Sequence, residues 1–234
     1  MSLILNLETS TQICSVSLSE NGTIIGLKED SEGRNHARLL TVFIEDLLLE
    51  KGFSPEDLDA IAVSKGPGSY TGLRIGVSTA KGMAYALSIP LISVNTLKML
   101  ASGYLQTFPE LKLQKNLLVC PMIDARRMEV YSAIYDSSLT EIRKIEAEII
   151  DENSYTDLLE ENKLIIFGDG AEKCKEVLRH PNISIDEKFQ LSSKFMADIS
   201  NEKYKQKRFE DVAYFEPFYL KDFVATIPKK KLLP

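Results

Sequence analysis

Apolar and polar positions change period several times along this 234-residue chain, and each change marks an expected element. Residues 3–9 alternate and end in Glu-Thr-Ser, which predicts a buried strand running into a polar turn. Residues 14–19 read Cys-Ser-Val-Ser-Leu-Ser, a period of two, and Asn21-Gly22 is a strong hairpin signal joining them to 23–28. The chain is thus expected to open as a three-stranded antiparallel meander. Over 36–51 the period becomes helical. Leu39, Leu40, Phe43, Leu47 and Leu48 share a face, and Val42, Ile44 and Leu49 add apolar positions off it. That helix is greasy over more of its circumference than one core contact requires. A strand at 59–64, a helix over 71–88, a short strand at 90–94 and a helix from Asn95 or Thr96 to about Tyr104 follow.

From Leu117 the pattern restarts. Strands are expected at 117–123 and 129–135, with the charged stretch 140–149 as a further one and a helix over 151–161. The apolar run 164–167 reads as a strand ending in Gly168-Asp169-Gly170, with a helix after it, and 192–206 as a polar amphipathic helix. The aromatic tail 214–220 is expected to dock on the body, and Lys229-Lys230-Lys231 to be a solvated end. Residues 108–115 are the best junction, which divides the chain into lobes 1–107 and 108–234.

Composition narrows the function classes. A formal charge of −6 argues against an autonomous tRNA or DNA binder, which needs clustered Lys and Arg. Cys14, Cys120 and Cys174 are odd in number, far apart and free of CxxC spacing, so they read as buried small hydrophobes of a reducing cytoplasm. No basic leader and no apolar run of spanning length is seen, and a cytoplasmic location without membrane contact is expected.

The most informative stretch is 66–82. Gly66-Pro67-Gly68 breaks a strand, and Ser69 or Thr71 can cap the helix that follows. In that helix Gly72, Gly76, Ala80 and Ala84 recur every fourth residue on one face. Each interior glycine costs roughly 0.5–1 kcal/mol relative to alanine, so Gly72, Gly76 and Gly82 need a reason. Close approach of another helix is the expected one. The loop resembles a phosphate cradle but fails the Walker pattern, because Thr71-Gly72-Leu73-Arg74 stands where Gly-Lys-Ser/Thr is required. It fails the nucleophile-elbow pattern as well. His36 and His180 are the only histidines and read as structural, and no metal-ligand spacing is present. Asp124-Ala125-Arg126-Arg127 reads as a salt-bridged turn between strands.

The order strand–strand–strand–helix–strand–helix is the layout of half an actin/sugar-kinase/Hsp70-like (ASKHA) fold. That predicts a two-lobed, ribonuclease H-like α/β protein with mixed sheets flanked by helices. In such folds the turn after the first strand holds phosphate and magnesium. Here that turn is Glu8-Thr9-Ser10-Thr11, and Gly168-Asp169-Gly170 stands where a second turn would meet an adenosine. Glu8, Thr9, Ser10, Gly168 and Gly170 are therefore the candidate nucleotide contacts. A degenerate member that keeps these turns as structure is favoured, because Glu8 stands in place of the expected aspartate and no second acidic ligand stands out.

Four signatures then make a specific resemblance. Residues 4–10 (Ile-Leu-Asn-Leu-Glu-Thr-Ser), 65–76 (Lys-Gly-Pro-Gly-Ser-Tyr-Thr-Gly-Leu-Arg-Ile-Gly), 123–131 (Ile-Asp-Ala-Arg-Arg-Met-Glu-Val-Tyr) and 217–221 (Pro-Phe-Tyr-Leu-Lys) resemble the bacterial TsaB (YeaZ) family, in its order and over nearly the whole chain. The resemblance implies an accessory subunit, not catalytic alone, that dimerises with a TsaD-like enzyme forming threonylcarbamoyladenosine (t6A) at position 37 of tRNA. It further implies a TsaE-like ATPase as partner, tRNA contact only through the complex, a homodimer of the isolated chain as an open alternative, and no cofactor of its own, with ATP or ADP at the partner interface the exception to test. A catalytic paralogue's His-x-x-x-His pair is reduced here to His36, followed by Leu39 and Leu40. The expected interface joins the helices at 36–51 and 71–88 to their counterparts, burying about 1,200–2,000 Å². It is assigned to His36, Leu39, Leu40, Phe43, Leu47, Tyr70, Gly72, Arg74, Gly76, Ala80 and Met83. An ATP-dependent kinase of the same fold is the rival reading, and a glycoprotease-type peptidase a weaker one.

Overall fold

Two five-stranded mixed sheets are built by the same rule. The computed structural model describes residues 1–32 and 35–221. The Lys229-Lys230-Lys231 end lies outside the described residues. In the first sheet β1 (Leu3–Glu8), β2 (Cys14–Glu20) and β3 (Thr23–Asp30) form the antiparallel meander, and β4 (Ala60–Gly66) and β5 (Leu91–Asn95) add in parallel, giving the order β3-β2-β1-β4-β5. Asn21 (φ 52°) and Gly22 (φ 88°) make the hairpin turn that the sequence calls for. The second sheet repeats the plan. β6 (Leu117–Asp124), β7 (Glu129–Asp136) and β8 (Glu141–Ile149) run antiparallel, and β9 (Lys163–Phe167) and β10 (Ile183–Asp186) join in parallel, in the order β10-β9-β6-β7-β8.

The helices of the first half are full length. α1 (His36–Lys51) ends at Gly52, whose φ of 75° lets its own N–H and that of Phe53 close on the last turn. α2 (Tyr70–Leu87) starts under a Ser69 cap that accepts from Gly72 N–H at 3.2 Å. α3 (Thr96–Thr107) is capped by Asn95, which accepts from Lys98 N–H at 3.0 Å. In the second half the helices shrink, against expectation. Of the helix expected over 151–161 only the single turn α4 (Thr156–Leu159) forms, because Asp151 accepts from the Asn153 N–H and the Ser154 hydroxyl and Tyr155 turns left-handed at φ 69°. After Gly170 the chain closes a 3-10 turn (Glu172–Cys174) in place of a helix, and the four-residue β10 has no counterpart in the sequence reading. The 192–206 helix divides into a 3-10 turn (Ser193–Met196) and α5 (Ala197–Lys205).

Strand alternation decides what each face meets. Leu3, Leu5 and Leu7 of β1 join Val16 and Leu18 in a core closed by α1 and α2. Ile4 faces the other way, into a core where α3 bridges β4 and β5 to Val119, Ile123 and Phe167 of the second sheet. Asn6 shares that second face with the β2 serines, and α5 covers them. Asn6 accepts from the Ser200 hydroxyl at 2.8 Å and donates to Ser19 Oγ at 3.1 Å, all three fully buried. Ser193 and Ser15 hydroxyls meet at 2.7 Å, and Ser2 donates to Asn201 at 2.9 Å. The C-terminal helix is therefore held on the N-terminal sheet by a polar seam. Asn6→Ala strips this seam of its centre and leaves the Ser19 and Ser200 hydroxyls only their bonds to the Ile4 and Ala197 carbonyls, so equilibrium unfolding should show a loss of about 1–3 kcal/mol. A loss below about 0.5 kcal/mol, the level of an ordinary surface substitution, would mean the seam contributes nothing.

Candidate functional site

The two sheets end at a shared cleft of about 790 Å³. On one wall stand Ser10, Thr11, His36 and the 67–72 loop. On the other are Asp124, Arg126, Tyr131 and Asp169, with 218–221 of the tail between them. The first-strand turn builds the floor. Thr9 Oγ1 donates to Gly72 O at 2.7 Å, and Ser69 N–H donates to Ser10 O at 2.6 Å. A Cβ at Gly68 would strike Ser10 O, one at Gly72 would strike Thr9 O, and one at Gly76 would strike Thr9 Oγ1. The close approach that the small-residue stripe requires is thus made by the chain's own turn. This corrects the expectation that Gly72, Gly76 and Ala80 meet a second subunit. Ala80 and Ala84 finish the stripe inside the first core.

Leu40 and Leu47, expected at the interface, are likewise fully buried in that core, whereas Leu39, Phe43 and Met83 are half-buried at its edge. His36 Nε2 lies 3.0 Å from Thr11 O, tying α1 to the same turn. His180 Nδ1 accepts from Asn182 N–H at 3.2 Å and closes its own turn. The solvent side of the paired helices carries different residues. On α2 they are Thr71, Arg74, Ser78, Gly82 and Tyr85, spaced three or four apart on one face. On α1 they include Val42 and Leu49, two turns apart. Tyr85 is 80% exposed, Leu49 77% and Val42 44%. Tyr85 was missed from sequence, although the off-face apolar positions of α1 were its available signal.

Of the candidate nucleotide residues, the two glycines of the second turn pack closely on the chain itself. Gly168, at φ 104°, and Gly170 press against the backbone of residues 122–124, so the second turn is packed onto β6. Asp124 N–H donates to Asp169 at 3.0 Å, and Asp124 pairs with Lys173. Arg126 and Arg127 take left-handed φ values of 73° and 53° and stay exposed, so the salt-bridged turn forms through Asp124. All three cysteines are buried and free. Among the described residues no group of three or more metal-ligating side chains comes together, and no helix is long and apolar enough to cross a membrane.

Glu8 is the unusual group. It is fully buried; one carboxylate oxygen accepts from Ser10 N–H, and the other has no partner. Burial pushes its pKa up to about 7, against the smaller opposing effect of the Ser10 N–H hydrogen bond. Asp169, on the opposite wall, is pushed up to about 6 mainly by desolvation. A carboxyl raised on folding leaves the folded state most favoured below the unfolded pKa of 4.5 and costs stability as pH rises to about 7. Glu8→Gln keeps the acceptor and removes the charge. It should be more stable than the wild type at pH 8 by up to about 3 kcal/mol, with the gap closing toward pH 5 in thermal melts. A gap independent of pH would contradict this account of Glu8.

Comparison with known proteins agrees with the architecture. The family model described as TsaD, tRNA N6-adenosine threonylcarbamoyltransferase, matches residues 26–229. The tRNA threonylcarbamoyladenosine biosynthesis protein TsaB of Escherichia coli (strain K12) is 38% identical over 134 residues, 56% of this chain and 54% of that one. The chain spans about half the length of this and the similar Bacillus subtilis relative. TsaB of Buchnera aphidicola subsp. Acyrthosiphon pisum is 33% identical over 70% of this chain and 67% of its own. The solved structure of YeaZ from Pseudomonas aeruginosa superposes with a TM-score of 0.81 at 26% identity, covering 94% of this chain and all of the other. With the two like-built mixed sheets, the glycine-clamped α2 and these matches together, the chain belongs to the TsaB (YeaZ) family, within the wider group that the threonylcarbamoyltransferase model describes.

Proposed function

We propose that this chain is a docking subunit without catalysis of its own. The outward face of α1 and α2 pairs with a TsaD-like catalytic subunit, and the pair serves t6A formation at A37 of tRNA. A TsaE-like ATPase is a further partner, and tRNA is met through the assembly. The relatives' names support the pathway. The seal around Glu8 supports the absence of chemistry, since a fully buried carboxyl presents nothing to a substrate. The lone chain would hold no nucleotide, and ATP or ADP would enter only beside the partner.

The observation that carries the docking role is Gly82. It sits on the exposed face of α2, and a Cβ there would meet no atom within 4 Å. Unlike Gly72 and Gly76, it therefore has no intramolecular reason for its cost of roughly 0.5–1 kcal/mol. With Ser78 one turn away and exposed Tyr85 and Leu49 nearby on the helical layer, it forms a shallow place where a second helix can come close to the backbone. An anchoring aromatic beside small residues is the composition expected of an interface centre.

Gly82→Leu should leave the isolated chain as stable as the wild type or better, because leucine is the stronger helix former, while weakening association with the TsaD-like subunit by at least about tenfold. Tyr85→Glu should do the same through a buried charge. Calorimetric titration alongside circular dichroism reads both effects. Undiminished association of both variants would move the interface elsewhere, and ATP turnover by the lone chain would favour the kinase reading.

A further inference from the structure

The tail after α5 follows a course that packing alone does not require. Lys81 on α2 donates to the carbonyls of Ala213 (3.2 Å) and Phe215 (2.8 Å), and Phe215 inserts at the edge of the first core. Toward the cleft, Phe218 N–H donates to Lys65 O at 2.7 Å, and a Cβ at Gly66 would come within 2.6 Å of Phe218 O. Tyr219 lies against Tyr70 with ring centres 4.8 Å apart and the ring planes tilted by 37°, and its hydroxyl accepts from Arg74 Nε at 3.3 Å. Arg74 in turn lies 4.1 Å over the Tyr70 ring and donates to the Tyr70 hydroxyl. Finally Lys221 pairs with Glu129 at the start of β7, whose carbonyl oxygen also accepts from Lys173 at 2.7 Å. The tail thus runs antiparallel to α2, from its middle to its first turn, and then crosses to the second sheet.

We propose that residues 217–221 are a latch that couples the spacing of the two lobes to the cleft-proximal end of α2, with Tyr219 as the joint. One end is fixed to the 65–66 backbone and the other to Glu129, so a change in the gap between the lobes is transmitted to the segment between them. Tyr219 is the residue in that segment that touches α2. It holds Tyr70 and Arg74, both at the end of the exposed α2 face, in one cluster of contacts. The latch follows from contacts within the chain. Its consequence for partner binding rests on the docking role proposed above, and there it supplies the regulation: the docking end of α2 is ordered when the cleft is closed.

Hydrogen exchange on the full chain tests the coupling without a partner. Lys221→Met removes the lobe-two anchor and touches no residue of α2, yet exchange at 66–74 should accelerate about threefold. Tyr219→Ala should accelerate exchange both there and at 124–131 by about fivefold, with Tyr219→Phe close to wild type and α1 unchanged. A response confined to 217–221 in both variants overturns the latch. Calorimetry with the TsaD-like subunit is the second arm, in which Lys221→Met should bind more weakly than the wild type. Equal binding by the two proteins removes the regulatory consequence and leaves the docking role standing. Failure of the wild type itself to bind sinks the docking role, and the exchange experiment then still decides the latch.

Discussion

The rest of the structure depends on the contact between the first-strand turn and α2. Thr9 lies so close to Gly72 and Gly76 that neither position has room for a Cβ, and its hydroxyl is committed to the Gly72 carbonyl. That contact sets the height and rotation of α2 on the sheet. Once the rotation is set, Leu73, Val77, Ala80 and Ala84 point into the chain, while Arg74, Ser78, Gly82 and Tyr85 point away from it. The same turn fixes α1 through His36 and holds Glu8 beneath it.

The two sheets repeat one plan but are dressed unequally. The first carries three long helices, whereas the second keeps one helical turn and short 3-10 segments where its counterparts would be. The large apolar side chains that the α-helices leave exposed, Val42, Leu49 and Tyr85, stand on α1 and α2. The C-terminal segment compensates for the thin second half by returning to the first sheet, where α5 seals the serine face of β1 and β2 and the tail continues along α2. The first strands and the described C-terminal segment thus stabilise the same lobe, and the cleft between the lobes is bridged by α3 at its back and by 217–221 at its mouth.

Much of this was legible before any coordinates. The bounds of α1 and α2, the Asn21-Gly22 hairpin and the cap at Ser69 follow from local chemistry, because period and turn residues act over a few positions. What failed was whatever depends on a distant neighbour. The spacing of Gly72, Gly76 and Ala80 shows that one face of α2 is crowded. It does not show that Thr9, more than sixty residues away, does the crowding, and so the stripe was assigned to a partner. Leu40 and Leu47 were misplaced in the same way, because a helix apolar on several sides does not reveal which side its own sheet takes. The short strand β10, with only Ile183 and Ile185 to mark it, and the collapse of the 151–161 helix at Asp151 and Tyr155 lie below what periodicity resolves.

The central claim is that α2 is clamped from within, leaving its other face for a partner, and Gly76→Ala tests it by sign. In an ordinary helix interior, alanine in place of glycine stabilises by roughly 0.5–1 kcal/mol. With Thr9 in contact and its hydroxyl held by Gly72, the added methyl has to push the turn away, and equilibrium urea unfolding of the isolated chain should show a loss of about 1–3 kcal/mol. An isolated Gly76→Ala chain more stable than the wild type would contradict the clamp and return the glycine stripe to the partner's side.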